Sequence, residues 1–381
     1  MGLKVARRGA IPPFFVMEVM RAAAEREAAG RDVLHLEVGQ PSTPAPARVI
    51  AAAQAALASD RVGYTEALGV PALRAAIARH YRVTYGLDIP ASRVVITTGS
   101  SGGFVLAFLA AFEAGNRVAM AAPGYPCYRN ILAALGVEAV EIPVGPETGF
   151  QPTPELLEGA GRLDGLIIAS PANPTGSMIS AGKLASLAVH CEHHSIRMIS
   201  DEIYHGITYG TGGLTAAAVC DDAVVVNSFS KYFSMTGWRL GWLVLPEELV
   251  RPVECLAQNL FISAPTLSQL AAVAAFDCQD ELAGHVARYA RNRALLLEEL
   301  PKAGLDRFAP AEGAFYLYAD VSALTDDSEA WCKRLLAETG VAITPGIDFD
   351  PVRGRRFVRL SFSGATETIA EAARRLRAWR R

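Results

Sequence analysis

From residue 47 to about residue 280 the chain alternates amphipathic stretches with short apolar runs. ARVIAAAQAALAS (47–59) and GVPALRAAIARHYRVTYG (69–86) carry apolar residues at helical spacing and predict helices. RVVITTG (93–99) is short and β-branched; it predicts a strand that passes through Gly and Ser into an apolar helix, SGGFVLAFLAAF. RVAMAAP (117–123) predicts a strand and a turn, and YRNILAALG (128–136) a helix stopped at Gly136. VEAVEIPV, GLIIASP, IRMISDEIY, AVVVNSFS and RLGWLVLP predict further strands, with a helix at GKLASLAVHCEHH (182–194). This alternation predicts a three-layer α/β unit, a mostly parallel sheet with helices on both faces. Beyond Asp280 the texture changes. A long Arg-rich helix (HVARYARNRALLLEELPKAG), the segments FAPAEGAFYLYADV and RFVRLSFS, and helices at EAWCKRLLAETG and IAEAARRLRAWRR predict a smaller α+β unit. The expected division is 1–45 as an arm and part of the small domain, 46–284 as the large domain, and 285–381 as the small domain.

Open α/β sheets bind ligands beyond the carboxyl ends of their strands. Here several predicted strands end in chemically useful residues: TTGSS, SPANPTG, SDEIY and NSFSK. Gly99, Ser100 and Ser101 form a turn into a helix, where backbone N–H groups and hydroxyls suit a phosphate, although taken alone plain turn chemistry is the better explanation of them. The turn is neither a P-loop nor a dinucleotide fingerprint. Asn173-Pro174-Thr175-Gly176 reads as a turn. Asp201 closes an apolar strand, so it either meets a buried partner or caps a helix, and Tyr204 follows it closely. Ser228, Ser230 and Lys231 end another strand. Lysine is seldom found in a buried segment, yet Lys231 lies among aromatics and hydroxyls between VVV and GWRLGW, with Arg239 downstream. Arg359, in FVRLSF, either faces solvent or offers an inward fork to a carboxylate. His190 and His194, with His193 between them, have metal-face spacing, but a helix end explains them better and no metal is expected. The tail RRLRAWRR reads as a solvated helix.

Composition narrows the choices. The 381 residues are 51% hydrophobic and 20% charged, which excludes a disordered or low-complexity chain and suits a large core without staples. A net charge of −3 offers no basic field for nucleic acid. Runs such as VLAFLAAF stop at Glu113, well short of the ~20 residues that span a bilayer. The first residues lack the apolar core of a secretion signal. Six scattered cysteines without a CxxC read as free thiols of a reducing cytoplasm. Lysine is scarce: of 36 basic residues only Lys4, Lys183, Lys231, Lys302 and Lys333 are lysines, and only Lys231 sits at a strand end.

Taken together, LEVGQP (36–41), GYTEALGVPALR (63–74), NPTG, DEIY, SFSKYFSMTGWRLGW (228–242) and RLSFSG (359–364) resemble the class I and II aminotransferases, fold type I enzymes that use pyridoxal 5′-phosphate. The resemblance implies that Lys231 condenses with the cofactor aldehyde and then carries the proton between carbons. It implies that Asp201 holds the proton of the ring nitrogen and that Tyr204 and Asn173 bond the ring oxygen. Gly99, Ser100, Ser101, Ser228, Ser230 and Arg239 would hold the phosphate, and Tyr125, in PGYP, would stack on the ring. Arg359, with Asn173 and the Gly39 backbone, would clamp the substrate carboxylate. Tyr64 would reach the phosphate of a neighbouring subunit, which implies a homodimer.

The implied reaction moves the amino group of an acidic, aromatic or aliphatic α-amino acid to a 2-oxo acid such as 2-oxoglutarate, in a ping-pong sequence. Alternatives are a C–S β-lyase on the same fold and a non-catalytic pyridoxal-phosphate-binding domain. The chain departs from the family pattern in three ways: Ser101 stands where some acidic-substrate members carry Lys, PGIDFD ends on Asp350 instead of Gly, and the arm IPPFFVMEVM is unusually apolar. These count against strict aspartate specificity and put an apolar, aromatic or broad donor range on at least an equal footing, with Phe14, Phe15 and Phe261 as candidates for the side-chain pocket.

Overall fold

The computed structural model describes residues 3–59 and 62–379. Seven strands form the main sheet. Val94–Thr97, Gly241–Val244, Val224–Ser228, Arg197–Asp201, Gly165–Ala169, Arg117–Ala122 and Glu138–Pro143 lie side by side in that order. Gly241–Val244 runs antiparallel to both its neighbours, and every other pair is parallel. The expected mostly parallel α/β sheet is therefore present, with one reversed strand that an apolar pattern cannot reveal.

Continuous apolar runs make these strands because both faces are covered. Ile96, Ile168, Met198, Val225 and Trp242 join one core. Their chain neighbours Val95, Ile167, Ile199, Val226 and Leu243 join the other, as the two-residue period of a strand requires. Helices Pro71–Tyr85 and Ala181–His194 pack into the first core, and Gly99–Ala111, Pro126–Leu135 and Glu247–Leu260 into the second. Helix ends follow the sequence signals: Gly86 (φ +70°) and Gly136 (φ +81°) close their helices in the left-handed region.

A three-stranded antiparallel sheet, in the order Thr344–Pro345, Phe357–Ser361, Tyr316–Asp320, forms a third apolar cluster with helices Gln279–Glu299, Ser328–Thr339 and Thr366–Ala378. The short strand Leu34–His35 pairs with Val341–Ala342, so the N-terminal segment is tied to the C-terminal part of the chain. Arg380 and Arg381 of the basic tail lie outside the described residues. The apolar N-terminal arm contains a helix, Phe15–Ala28, whose first N–H groups at Phe15 and Val16 both donate to the Asp348 carboxylate at 3.2 Å. No described helix is long and apolar enough to cross a membrane.

Candidate active site

The polar strand ends converge on one cavity of about 170 Å³, between the carboxyl edge of the main sheet and the three-stranded sheet. Its wall includes Ser100, Ser101, Tyr125, Asn173, Asp201, Tyr204, Ser230, Lys231, Arg239, Arg359 and Gly39. Residues as far apart in sequence as Gly39 and Arg359 meet there because the N-terminal segment runs alongside the three-stranded sheet.

Asp201 is the last residue of its strand and only 3% exposed. It caps no helix; its carboxylate accepts hydrogen bonds from the Ile203 N–H (3.1 Å) and the Tyr128 hydroxyl. Burial raises its pKa to about 6, and those two donors oppose the rise. Tyr128 was not foreseen from the sequence. The available signal was its place three residues after Tyr125, which puts both rings on one side of helix Pro126–Leu135, with centroids 5.3 Å apart.

Lys231 is half-buried, and its Nζ donates to the Gly39 carbonyl at 2.7 Å. Burial lowers its pKa to about 8, and Arg359 and Arg239 push the same way against Asp201. Gly99 opens helix Gly99–Ala111 with φ +73°, and a Cβ there would stand 2.4 Å from Arg239 Nη2. Glycine thus lets the guanidinium lie against the helix start. Arg239 donates to the Thr236 carbonyl at 3.0 Å, and no ion pair of Arg239 with a carboxylate occurs among the described residues. Ser230 lines the cavity, but Ser228 does not: its hydroxyl accepts from the Ser230 N–H and donates to the Leu240 carbonyl.

Arg359 is 2% exposed, on the inward face of its strand. Its Nη1 donates to Asn173 Oδ1 at 2.9 Å and its Nη2 to the Glu37 carbonyl. The guanidinium lies between the rings of Tyr316 (4.4 Å) and Phe349 (4.8 Å), and its buried Nε has no partner. A buried cation with an open donor and no carboxylate is costly, so the fork is built for an incoming anion. Tyr316, also unforeseen, bonds the Tyr204 hydroxyl at 2.7 Å; a Cβ on Gly39 would fall 1.7 Å from the Tyr316 hydroxyl oxygen.

Several expected residues lie elsewhere. Tyr64 is 85% exposed and outside this cavity. Phe15 faces a separate groove with Val19 and Leu336, because the helix start is turned by Asp348. Phe261 packs beside the helix that carries Gly102. Of the three phenylalanines only Phe14 lines the cavity, edge-on to Tyr125 at 6.0 Å, and Val16, Met17 and Val38 join it. Asp350 stays out of the cavity and organises a turn, accepting from the N–H groups of Val352 and Arg353 and from Arg353 Nε. His190 and His194 stack at 4.4 Å, and no group of three metal-ligating side chains occurs among the described residues.

A lysine amine of lowered pKa near a buried carboxylate, beside an anion-binding helix start and an arginine fork on a mostly parallel sheet, defines a fold type I pyridoxal-phosphate enzyme. The sequence profile described as "Aminotransferase class I and II" matches residues 31–376, and the chain belongs to that family. It is 56% identical to valine–pyruvate aminotransferase of Mycobacterium tuberculosis, over 99% of this chain and 98% of the relative. It is 33% identical to aspartate/prephenate aminotransferase of Thermus thermophilus, over 96% of each chain. The crystal structure of an aminotransferase from Mycobacterium tuberculosis superposes with a TM-score of 0.97 at 55% identity, covering 99% of both chains. The protein is a pyridoxal-phosphate-dependent aminotransferase.

Proposed function

We propose that this aminotransferase moves the amino group of an apolar α-amino acid, valine foremost, to pyruvate. One observation carries the choice: the cavity wall combines Phe14, Val16, Met17 and Val38 with a single arginine, Arg359, that the cofactor leaves free for a carboxylate. Monocarboxylate donors and acceptors suit such a wall better than aspartate or 2-oxoglutarate, which need a second cation. The 56% identical valine–pyruvate aminotransferase of Mycobacterium tuberculosis supports the same pair.

The donor set fits pyridoxal phosphate. An amine of lowered pKa, a buried carboxylate, and a cradle at Gly99 that a Cβ would fill are the partners its aldehyde, ring nitrogen and phosphate require. When bound, the cofactor supplies an electron sink for the charge left at the substrate Cα. Arg239, the hydroxyls of Ser100, Ser101 and Ser230, and the N-terminus of helix Gly99–Ala111 hold the phosphate. Ser228 acts indirectly, by fixing the Ser230 backbone. Asp201, ionised at neutral pH with a value of about 6, keeps the ring nitrogen protonated. Tyr204, steadied by Tyr316, and Asn173 bond the ring oxygen, and Tyr125 covers the ring face.

Arg359 receives the substrate carboxylate through its open Nε and its fork, oriented by Asn173 and flanked by two rings. Lys231, with a value of about 8, is partly neutral at neutral pH; with the cofactor bound, its amine could therefore take the substrate Cα proton and deliver it to the cofactor's former aldehyde carbon, across the nitrogen. Phe14 stands edge-on to Tyr125 and adds an apolar surface to the wall of the reacting site. A homodimer in which Tyr64 reaches the neighbouring phosphate accounts for an exposed aromatic at that position. The separate apolar clusters, and the pairing of Leu34–His35 with Val341–Ala342, support a division at about 45 and 285. The test is a panel of amino donors and 2-oxo acids. Valine with pyruvate should be the most productive pair; a strong preference for aspartate with 2-oxoglutarate would remove the proposal.

A further inference from the structure

Next to Asp201 the chain buries a second carboxylate, Glu202, that is 1% exposed and faces away from the Lys231 cavity. Its Oε1 accepts from the Ser200 hydroxyl (3.0 Å) and the Ala216 N–H (2.8 Å). Its Oε2 is buried and has no hydrogen-bond partner. The titratable atom that approaches Oε2 is Nδ1 of His205, at 3.5 Å.

The histidine's tautomer sharpens the conflict. His205 Nε2 is 2.9 Å from the Ser170 carbonyl oxygen, which can only accept, so Nε2 carries the hydrogen. Nδ1 of the neutral ring then has one lone pair, and the Tyr85 hydroxyl lies 2.7 Å from it. With Glu202 ionised and His205 neutral, Oε2 would face a lone pair and, the nearby Thr215 hydroxyl aside, find no donor, an under-satisfied buried anion. One added proton, on Oε2 or on Nδ1, removes the conflict and leaves the pair with no net charge.

We propose that Glu202 and His205 share one proton, with Tyr85 as the third member, and that this proton keeps a second negative charge from Asp201. Burial, which pushes Glu202 up to about 7 and His205 down to about 4, puts the proton on the carboxyl. The other groups facing the pair are the Thr215 hydroxyl, Tyr81 and Tyr85 of helix Pro71–Tyr85, and His80 beside His205. His80 is held neutral by burial, at about 4. Asp201 carries the charge next to Glu202, and Lys231 lies beyond Asp201.

The proton has its own way out. Tyr85 and His205 line a second cavity of about 280 Å³ with His80 and Tyr232, and the exposed Arg79 and Asp277 stand on its wall. None of its lining residues belongs to the Lys231 cavity. Glu202 can therefore exchange its proton without passing through the reacting site. When that proton leaves, the new charge raises the proton affinity of Asp201 and draws the ring-nitrogen proton toward the carboxylate. Glu202 is thus a positioning residue that acts through Asp201, and the inference rests on the reading of Asp201 as the ring-nitrogen partner.

Holoenzyme reconstituted with ring-15N-labelled pyridoxal phosphate tests this by nuclear magnetic resonance. In the wild type the ring-nitrogen shift should leave its protonated value as pH rises through about 7. Glu202→Gln keeps the Oε1 acceptor, offers an amide hydrogen to Nδ1, and should abolish that step. Infrared spectra of the same samples should show a protonated-carboxyl band that fades through the same pH in the wild type and is missing from Glu202→Gln. An identical nitrogen step in both proteins, or no such carboxyl band in the wild type, overturns the proposal. A ring nitrogen unprotonated at every pH, with the carboxyl band behaving as expected, instead overturns the assignment of Asp201 and leaves the shared proton standing.

Discussion

The roles proposed for Lys231 and Arg359 each give a distinct prediction. Lys231→Ala should abolish transamination and let the cofactor wash out on dialysis, with loss of the visible absorbance of the purified protein. Retained colour after dialysis would show that another amine captures the cofactor. Arg359→Ala removes one partner of a buried charged contact, a change that costs about 2–5 kcal/mol. The expected outcome is a kcat/KM for valine lowered by roughly 30-fold to several thousand-fold, mostly through KM, with cofactor affinity unchanged. Equal losses in both would make Arg359 a structural residue. Lys231 stood out in the sequence because a lysine at the end of an apolar strand is unusual, whereas Asp201 and Arg359 each had an ordinary explanation alone and became legible only through the set of motifs they belong to. Tyr128 and Tyr316 were not legible, since a tyrosine in an apolar setting is ordinary and their partners are 73 and 112 positions away. The sequence also could not say that Ser228 is a support for Ser230; that depends on which way its hydroxyl turns.

Among elements, the helix start at Gly99 is the most sensitive joint. Gly99→Ala places a Cβ 2.4 Å from Arg239 Nη2 and displaces the guanidinium from the cradle, while φ +73° adds roughly 1–2 kcal/mol of strain to the free and loaded forms alike. Loss of a charge-assisted contact to the phosphate, about 1.5–3 kcal/mol, should lower cofactor affinity about tenfold or more. A fluorescence titration checks this, and an unchanged dissociation constant would separate the cradle from phosphate binding. The strands and most helices were readable from periodicity because both sheet faces are covered and the helix ends carry Gly. Helix Glu247–Leu260 was not predicted, and neither were two further features. The reversed direction of Gly241–Val244 leaves no trace in an apolar run. Helix Phe15–Ala28 takes its first-turn partner, Asp348, from 333 residues away, and that contact sends Phe14 into the cavity and Phe15 out of it.

For the whole molecule, buried ionisable groups set the pH response. Glu202 titrates at about 7 in the fold against an ordinary 4.5. A raised carboxyl value stabilises below 4.5 and loses that contribution as pH rises through 7, so the ionised form opposes folding at alkaline pH. Glu202→Gln should therefore raise Tm at pH 8 relative to wild type, and far less at pH 4; the reverse order would contradict a neutral buried Glu202. His80 and His205, both lowered to about 4 from 6.5, act in the opposite sense and favour the fold as pH climbs between those values. Sedimentation should give a dimer, and Tyr64→Phe should weaken cofactor retention without dissociating it; a monomer of full activity would exclude a shared site. The family was legible from motifs spread from residue 36 to 364, but the apolar wall on which the proposed substrate choice rests is gathered from Phe14, Val16 and Met17 of the arm as well as Val38, and the motifs leave out the arm. Lys231-dependent transfer between monocarboxylates can be followed by incubating the holoenzyme with 15N-valine and pyruvate and tracing the label by mass spectrometry. The expected products are 15N-alanine and 3-methyl-2-oxobutanoate in equal amounts, both absent with Lys231→Ala. Release of labelled ammonia without labelled alanine, or transfer that survives the loss of Lys231, would contradict the proposal.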